Sequence, residues 1–131
     1  GDALAAGDAI AAIAPLLALA TLATPNLPEA AALAWEGCQG LLVTGGHGGG
    51  SAVINRWHCE GRVVEWEWPR LAGSFHGSGC TLAAAVAARL ALGEPMEQAL
   101  GRAQAYSHRA LARSYSIGAG QRIPRRGANP H

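Results

Sequence analysis

Along the 131 residues the spacing of apolar and polar positions changes several times, and each change marks an element. Ala9–Leu19 is apolar at helical spacing, with Asp8 placed as its N-cap and Pro15 as a kink or boundary. Leu19–Thr24 predicts a short strand that delivers Asn26. Glu29–Glu36 is helix-like, with Pro28 at its start and Gly37 just past its end. Leu41–Thr44 is a continuous apolar run before Gly45 and Gly46, the pattern of a parallel strand buried on both faces. Ala52–Cys59 and Arg62–Trp68 predict two strands joined by a Glu60-Gly61 hairpin turn. In the second of these Val64, Trp66 and Trp68 share one face and Glu65 and Glu67 the other, so it should be half exposed. Helical spacing returns over Cys80–Leu92, stopped by Gly93, and again over Pro95–Arg113. There Met96, Leu100, Ala103, Tyr106, Ala110 and Leu111 form an apolar stripe. Residues 117–131 are rich in Gly, Pro and Arg and predict a loosely held tail.

Strands alternating with helices, with glycine turns between them, imply an α/β layered fold. Ligands in such sheets bind beyond the carboxyl ends of the strands. Asn26, Gly46 and Gly77 each follow a predicted strand, so three motifs are expected to converge on one edge.

Composition narrows the classes. Half of the residues are hydrophobic, which excludes disorder over the whole length and allows one domain with a moderate core. The net charge of +1 gives no case for a nucleic-acid partner, and Arg122, Arg125 and Arg126 read as a solvated tail. Lysine is absent, so a phosphate clamp must use Arg, backbone amides or a metal. Cys38, Cys59 and Cys80 are odd in number and lack a Cys-x-x-Cys spacing. Neither a disulfide framework nor a zinc site is suggested, and a cytoplasmic location fits. Ala9–Ala23 is too short, too rich in Ala and too interrupted by Pro15 for a membrane span, which favours a core-facing helix.

The candidate chemistry lies in Gly73–Leu82, a glycine-rich turn opening into a helix. Unpaired N–H groups and the dipole at such a start attract anions. Gly77 and Gly79 let a phosphate approach the backbone, and Cys80 stands where the field favours a thiolate. The same residues would also serve as an ordinary turn with a small buried thiol. Asn26 and Glu29 put an amide and a carboxylate three residues apart, hard oxygen ligands that suit Mg²⁺ beside phosphates. They also suit a helix cap, and both roles can hold together. His76 is a phosphate-steadying or capping candidate. His47 reads as loop packing, in a five-glycine loop over Gly45–Gly50 flexible enough to close over a ligand. His58 and His108 make no special claim. The four tryptophans read as core or interface packing rather than base stacking.

Three segments, "ATPNLPEA", "LLVTGGHG" and "FHGSGCTLAAAVAARLALG", resemble in that order the hydroxymethylpyrimidine/phosphomethylpyrimidine kinases of thiamine biosynthesis, within the ribokinase-like superfamily. "GDALAAGDAI", "ALGRAQAYSHRAL" and "IGAGQRIP" extend the likeness over nearly the whole chain. The superfamily's sugar kinases have Asp at the position of Cys80, so the cysteine points to the pyrimidine branch. The resemblance implies an anion hole for the γ-phosphate at Gly77, Ser78, Gly79 and Cys80, with Cys80 catalytic. It also implies that Asn26 and Glu29 organise Mg²⁺, partly through water, and that Thr44 and Gly46 lie near ATP. Thr44 departs from the Lys common in relatives, so the charge contact to the nucleotide is either absent or supplied by an Arg. Ala30–Gln39 is shorter than the matching segment elsewhere, and members are about twice this length. The chain therefore reads as the carboxy-terminal part of a kinase domain, 1–131.

The expected activity is ATP-dependent phosphorylation of a hydroxymethylpyrimidine or its monophosphate, in a homodimer such as relatives often form. The alternatives are a pyridoxal-type vitamin kinase, or a nucleotide-binding fragment inactive without an amino-terminal half. Cys-His acyl transfer at Cys80 is a competing class, but no third orienting residue can be named.

Overall fold

The computed structural model describes residues 2–33, 35, 38–46 and 48–127, with residues 2–6 in backbone only. Two compact units divide the chain, Gly1–Arg70 and Leu71–His131. His47, Glu36 and Gly37 lie outside the described residues, and the second helix stops short of its expected end at Glu36: its last residue is Ala32, and Leu33 is already extended.

The first unit opens with α1, Asp2–Leu17. It starts upstream of Asp8, which therefore lies inside the helix rather than capping it. Alanine carries the helix through on propensity alone, and Pro15 sits so near the carboxyl end that only one turn feels its missing N–H. The expectation of a core-facing helix is not met. Beyond Leu17, which is buried, α1 presents Ile13 and Leu16 to solvent, at 44% and 59% exposure.

Next come α2, Leu27–Ala32, and three strands: β1, Leu41–Val43; β2, Ala52–Cys59; and β3, Arg62–Pro69. The strands run in spatial order β1-β2-β3, antiparallel throughout, with Val43 opposite Arg56 and Trp57 opposite Val64. The parallel strand expected at Leu41–Thr44 is thus antiparallel on its β2 side. Its other side makes parallel bridges from Leu41 to Ala23 and from Thr44 to Asn26. The strand expected over Leu19–Thr24 shrinks to the Ala23 bridge, because turns back to Leu16 and Leu17 occupy Leu19 and Ala20. Leu42, fully buried, and Trp57 sit in the core. Glu60 and Gly61 both take positive φ, 49° and 77°, the tight turn whose twist matches a hairpin. Along β3 exposed residues alternate with half-buried Val64, Trp66 and Trp68, as the pattern requires.

The second unit packs α3, Ser78–Ala91, against α4, Met96–Ala112. Gly93, at φ 85°, turns the chain between them. Leu82 and Val86 of α3 and Ala99, Leu100, Ala103 and Ala110 of α4 form its core. Leu100, Ala103 and Ala110 belong to the stripe read from sequence. Gln104 is buried with them, its amide bonded back to the Leu100 carbonyl at 3.0 Å. Two short strands, β4 at Tyr115–Ser116 and β5 at Arg122–Ile123, pair antiparallel. Part of the stretch read as a loose tail is therefore anchored: Pro124 is fully buried and Arg125 N–H donates to the Ala110 carbonyl.

Candidate functional site

In the first unit the bridge between Asn26 and Thr44 puts the start of α2 beside the end of β1. Thr44 N–H donates to the Pro25 carbonyl at 2.9 Å, and its hydroxyl reaches the same oxygen at 3.4 Å. Asn26 caps α2 in extended conformation and accepts the Glu29 N–H on Oδ1 at 2.8 Å. Glu29 returns the bond, its Oε2 accepting the Asn26 N–H at 2.9 Å. This reciprocal box satisfies two donors that a helix start otherwise leaves open. The capping role read from sequence is therefore filled. Of the carboxylate, Oε2 is engaged in the box, and a carboxylate has lone pairs to spare for a further partner. Among the described residues no three His, Cys, Asp or Glu side chains gather as a metal cluster. One carboxylate and one amide fit only a cation that keeps most of its water, as Mg²⁺ does. Thr44 thus lies beside Asn26, while the Gly46 carbonyl accepts from Arg70.

In the second unit the start of α3 is built the opposite way. Gly77 is its N-cap in the left-handed region, φ 81°, and offers no side chain to bond the first turn. Thr81 N–H donates to the Gly77 carbonyl at 3.0 Å, the first main-chain bond of the helix. The amides of Ser78, Gly79 and Cys80 precede that bond and meet no acceptor among the described residues. Gly79 and Cys80 are exposed. A helix beginning this way presents bare donors at its positive end.

The residues that shape this start come from far along the chain. Arg122 N–H donates to the Ser74 carbonyl at 2.7 Å, and His76 N–H donates to the Arg122 carbonyl at 2.9 Å. Gln121 adds a side-chain bond to Ser74 Oγ at 3.0 Å. The Arg122 guanidinium is turned away, donating to Ser114 Oγ at 2.8 Å and Ser116 Oγ at 3.1 Å. Arg126 faces the helix start instead. Its Nε donates to Thr81 Oγ1 at 2.8 Å, and Thr81 Oγ1 donates to the Gly77 carbonyl at 2.7 Å. A Cβ on Gly77 would lie 2.6 Å from Arg126 Nη2, so the guanidinium and the cap touch. Sequence reading placed Arg126 in a solvated tail, and its separation from Gly77 gives no periodic signal. The absence of lysine was the one hint that an arginine had to come from somewhere.

Of the predicted site residues, the first unit holds Asn26, Glu29, Thr44 and Gly46, and the second holds Gly77, Ser78, Gly79 and Cys80. His76 contributes its backbone N–H to the β5 segment, a structural use. His58 is exposed on β2 and His108 half-buried on α4.

The phosphomethylpyrimidine kinase family profile matches residues 1–125. A hydroxymethylpyrimidine/phosphomethylpyrimidine kinase of Rhizobium meliloti is 37% identical over 142 aligned residues, covering 92% of this chain and 53% of its own. The Streptomyces coelicolor enzyme of that name is 36% identical and covers 92% of this chain and 52% of its own. The chain spans about half the length of the curated relatives it matches. Among solved structures, the pyridoxal kinase of Staphylococcus aureus in complex with AMP-PCP and pyridoxal superposes with a TM-score of 0.79 at 26% identity. That match covers 86% of this chain and 50% of the other. The fold is the ribokinase-like α/β arrangement expected from the motifs. With its glycine-led, uncapped α3 and a profile match over almost its whole length, the chain belongs to the phosphomethylpyrimidine kinase family.

Proposed function

We propose that this chain serves ATP-dependent phosphorylation of 4-amino-5-hydroxymethyl-2-methylpyrimidine, or of its monophosphate. The single observation that carries the proposal is the open start of α3, with its bare amides, adjoining Cys80 and the Arg126 guanidinium. Phosphoryl transfer asks a protein mainly for positioning and charge stabilisation. The amides of Ser78, Gly79 and Cys80 supply donors for the oxygens of the transferred group. Arg126 adds a full positive charge beside them. Cys80, in the first turn, takes the proton of the substrate hydroxyl as general base. Asn26 and Glu29 would hold Mg²⁺ through its water shell while keeping the box that starts α2, and the ion would neutralise phosphate oxygens. Thr44 and Gly46 would border the nucleotide. A homodimer is the proposed assembly, and the cytoplasm the proposed location. No helix among the described residues is long and apolar enough to cross a membrane.

A pyridoxal-type activity is the second reading, favoured by the superposition on a pyridoxal kinase at 26% identity. The pyrimidine is preferred because sequence identity to the pyrimidine kinases is higher, 37% over 92% of the chain. The test is a substrate panel with MgATP, run on the chain alone and with the amino-terminal half of a full-length relative fused or added in trans. Weak nucleotide binding without turnover is expected for the chain alone, and pyrimidine phosphate for the completed enzyme. Pyridoxal phosphate in its place would move the assignment to the second reading. Turnover by the chain alone would contradict the need for an upstream half.

A further inference from the structure

The glycine loop after β1 is far from slack. At its start a Cβ on Gly45 would lie 2.1 Å from the Ile54 carbonyl oxygen, so only glycine fits against β2. Its N–H donates to Oδ1 of the buried Asn55 at 2.9 Å. Further along, the acceptors of the loop converge on one side chain. Arg70 donates from Nη1 to the Gly46 carbonyl at 2.8 Å, from Nε to the Gly50 carbonyl at 2.8 Å and from Nη2 to the Ala52 carbonyl at 3.4 Å. Its own N–H donates to the Ser51 carbonyl at 2.9 Å. One residue thus ties the first and last turns of the loop together and to the end of β3. A run of glycines left to itself has the largest conformational entropy a chain can have, and a ligand ordering it would bear that cost. The planar guanidinium spreads its donors over three nitrogens in a fixed fork and so reaches three separated carbonyls, whereas an ammonium carries its three donors on one nitrogen at the end of a flexible stem.

We infer that Arg70 is a positioning residue for the nucleotide: it holds the described residues of the loop, Gly46 and Gly48–Gly50, in place after Thr44, so that they meet their ligand already ordered. The inference rests on the kinase reading of Thr44 and Gly46. It replaces the picture of a loop free to close with one whose two ends are fixed in advance. Arg70 touches no reacting atom in this scheme and acts only through the loop's carbonyls.

The test pairs two measurements on the chain and on Arg70→Gln and Arg70→Lys. Backbone ¹⁵N relaxation reads the order of Gly46 and Gly48–Gly50, and a MgATP titration reads affinity. In the wild type the loop amides should have order parameters near ~0.85, falling below ~0.6 in Arg70→Gln. MgATP binding should weaken about ten-fold, because ordering moves from folding to binding. Arg70→Lys keeps the charge and stem, so it secures a folded comparison, and it should behave like the glutamine variant. A lysine variant equal to wild type in both readouts overturns the inference, as does a loosened loop with unchanged MgATP affinity. Unchanged order parameters in both variants overturn the clamp itself. A wild-type chain that binds no MgATP while its loop loosens on substitution overturns the kinase reading, and Arg70's nucleotide role with it, but leaves the clamp standing.

Discussion

Two helices of this chain begin in opposite ways. At α2, Asn26 and Glu29 fold back on the helix start, and their side chains engage each other's main-chain N–H groups. At α3, Gly77 leaves the same class of donors bare, and the nearest charged group is the Arg126 guanidinium. A cation at the positive end of a helix dipole is an unfavourable neighbour, costing about 0.3–1 kcal/mol at an exposed site. The arrangement becomes favourable once an anion sits between them. The contrast separates a start that stabilises itself from one that holds its donors for something else. Asparagine at the N-cap brings a side-chain acceptor and glycine brings none, although the exchange itself is worth only about a few tenths of a kcal/mol.

The contrast can be broken most severely at Cys80. In the enzyme that turns over, Cys80→Ala should lower kcat by about 10²–10⁴-fold, the range for removing a general base, with nucleotide affinity within about two-fold. A loss confined to affinity would make Cys80 a binding residue only. Gly77→Ala attacks the open start itself. It forces a side chain into the left-handed region, at about 1–2 kcal/mol, and into the space of Arg126 Nη2. Thermal denaturation should show the destabilisation, and pyrophosphate titration a loss of binding larger than stability explains. Arg126→Gln leaves the helix intact and removes the charge. Pyrophosphate affinity should fall about ten-fold and become less sensitive to salt, as expected when a charge-assisted contact is lost.

The smallest effects sharpen the other side of the comparison. Asn26→Ala should cost about 1 kcal/mol of stability through the lost cap. Glu29→Gln preserves the box, because glutamine fills that position too, so denaturation should move by no more than about 0.5 kcal/mol. Its nucleotide binding should nevertheless lose part of its Mg²⁺ dependence. If both properties of Glu29→Gln match the wild type, Glu29 is a cap and nothing else.

What the sequence made legible was local. The hairpin of β2 and β3, its Glu60-Gly61 turn and the alternation of Val64, Trp66 and Trp68 are written in period-two spacing and turn chemistry, which neighbours along the chain enforce. Gly77–Cys80 was legible for the same reason, since a glycine start and a following apolar period need no distant partner. The antiparallel side of β1 was not, because continuous apolar character reports burial on two faces and says nothing of direction. Nor did Ala9–Leu19 reveal its exposure, for alanine suits a helix in any surroundings. The two arginines that complete the motifs were invisible for a deeper reason. Arg70 and Arg126 act through main-chain carbonyls and a threonine hydroxyl, acceptors that leave no pattern of residue types to read.

The central proposal is that an anion lands at the α3 start. The most direct measurement is an amide chemical-shift titration of the chain with inorganic pyrophosphate, without metal. It predicts saturable shifts at Ser78, Gly79 and Cys80 together with the Arg126 side chain, and none at Glu29 and Ala30, whose N–H groups are already bonded. Shifts absent from Ser78–Cys80, or equal at both helix starts, would contradict it.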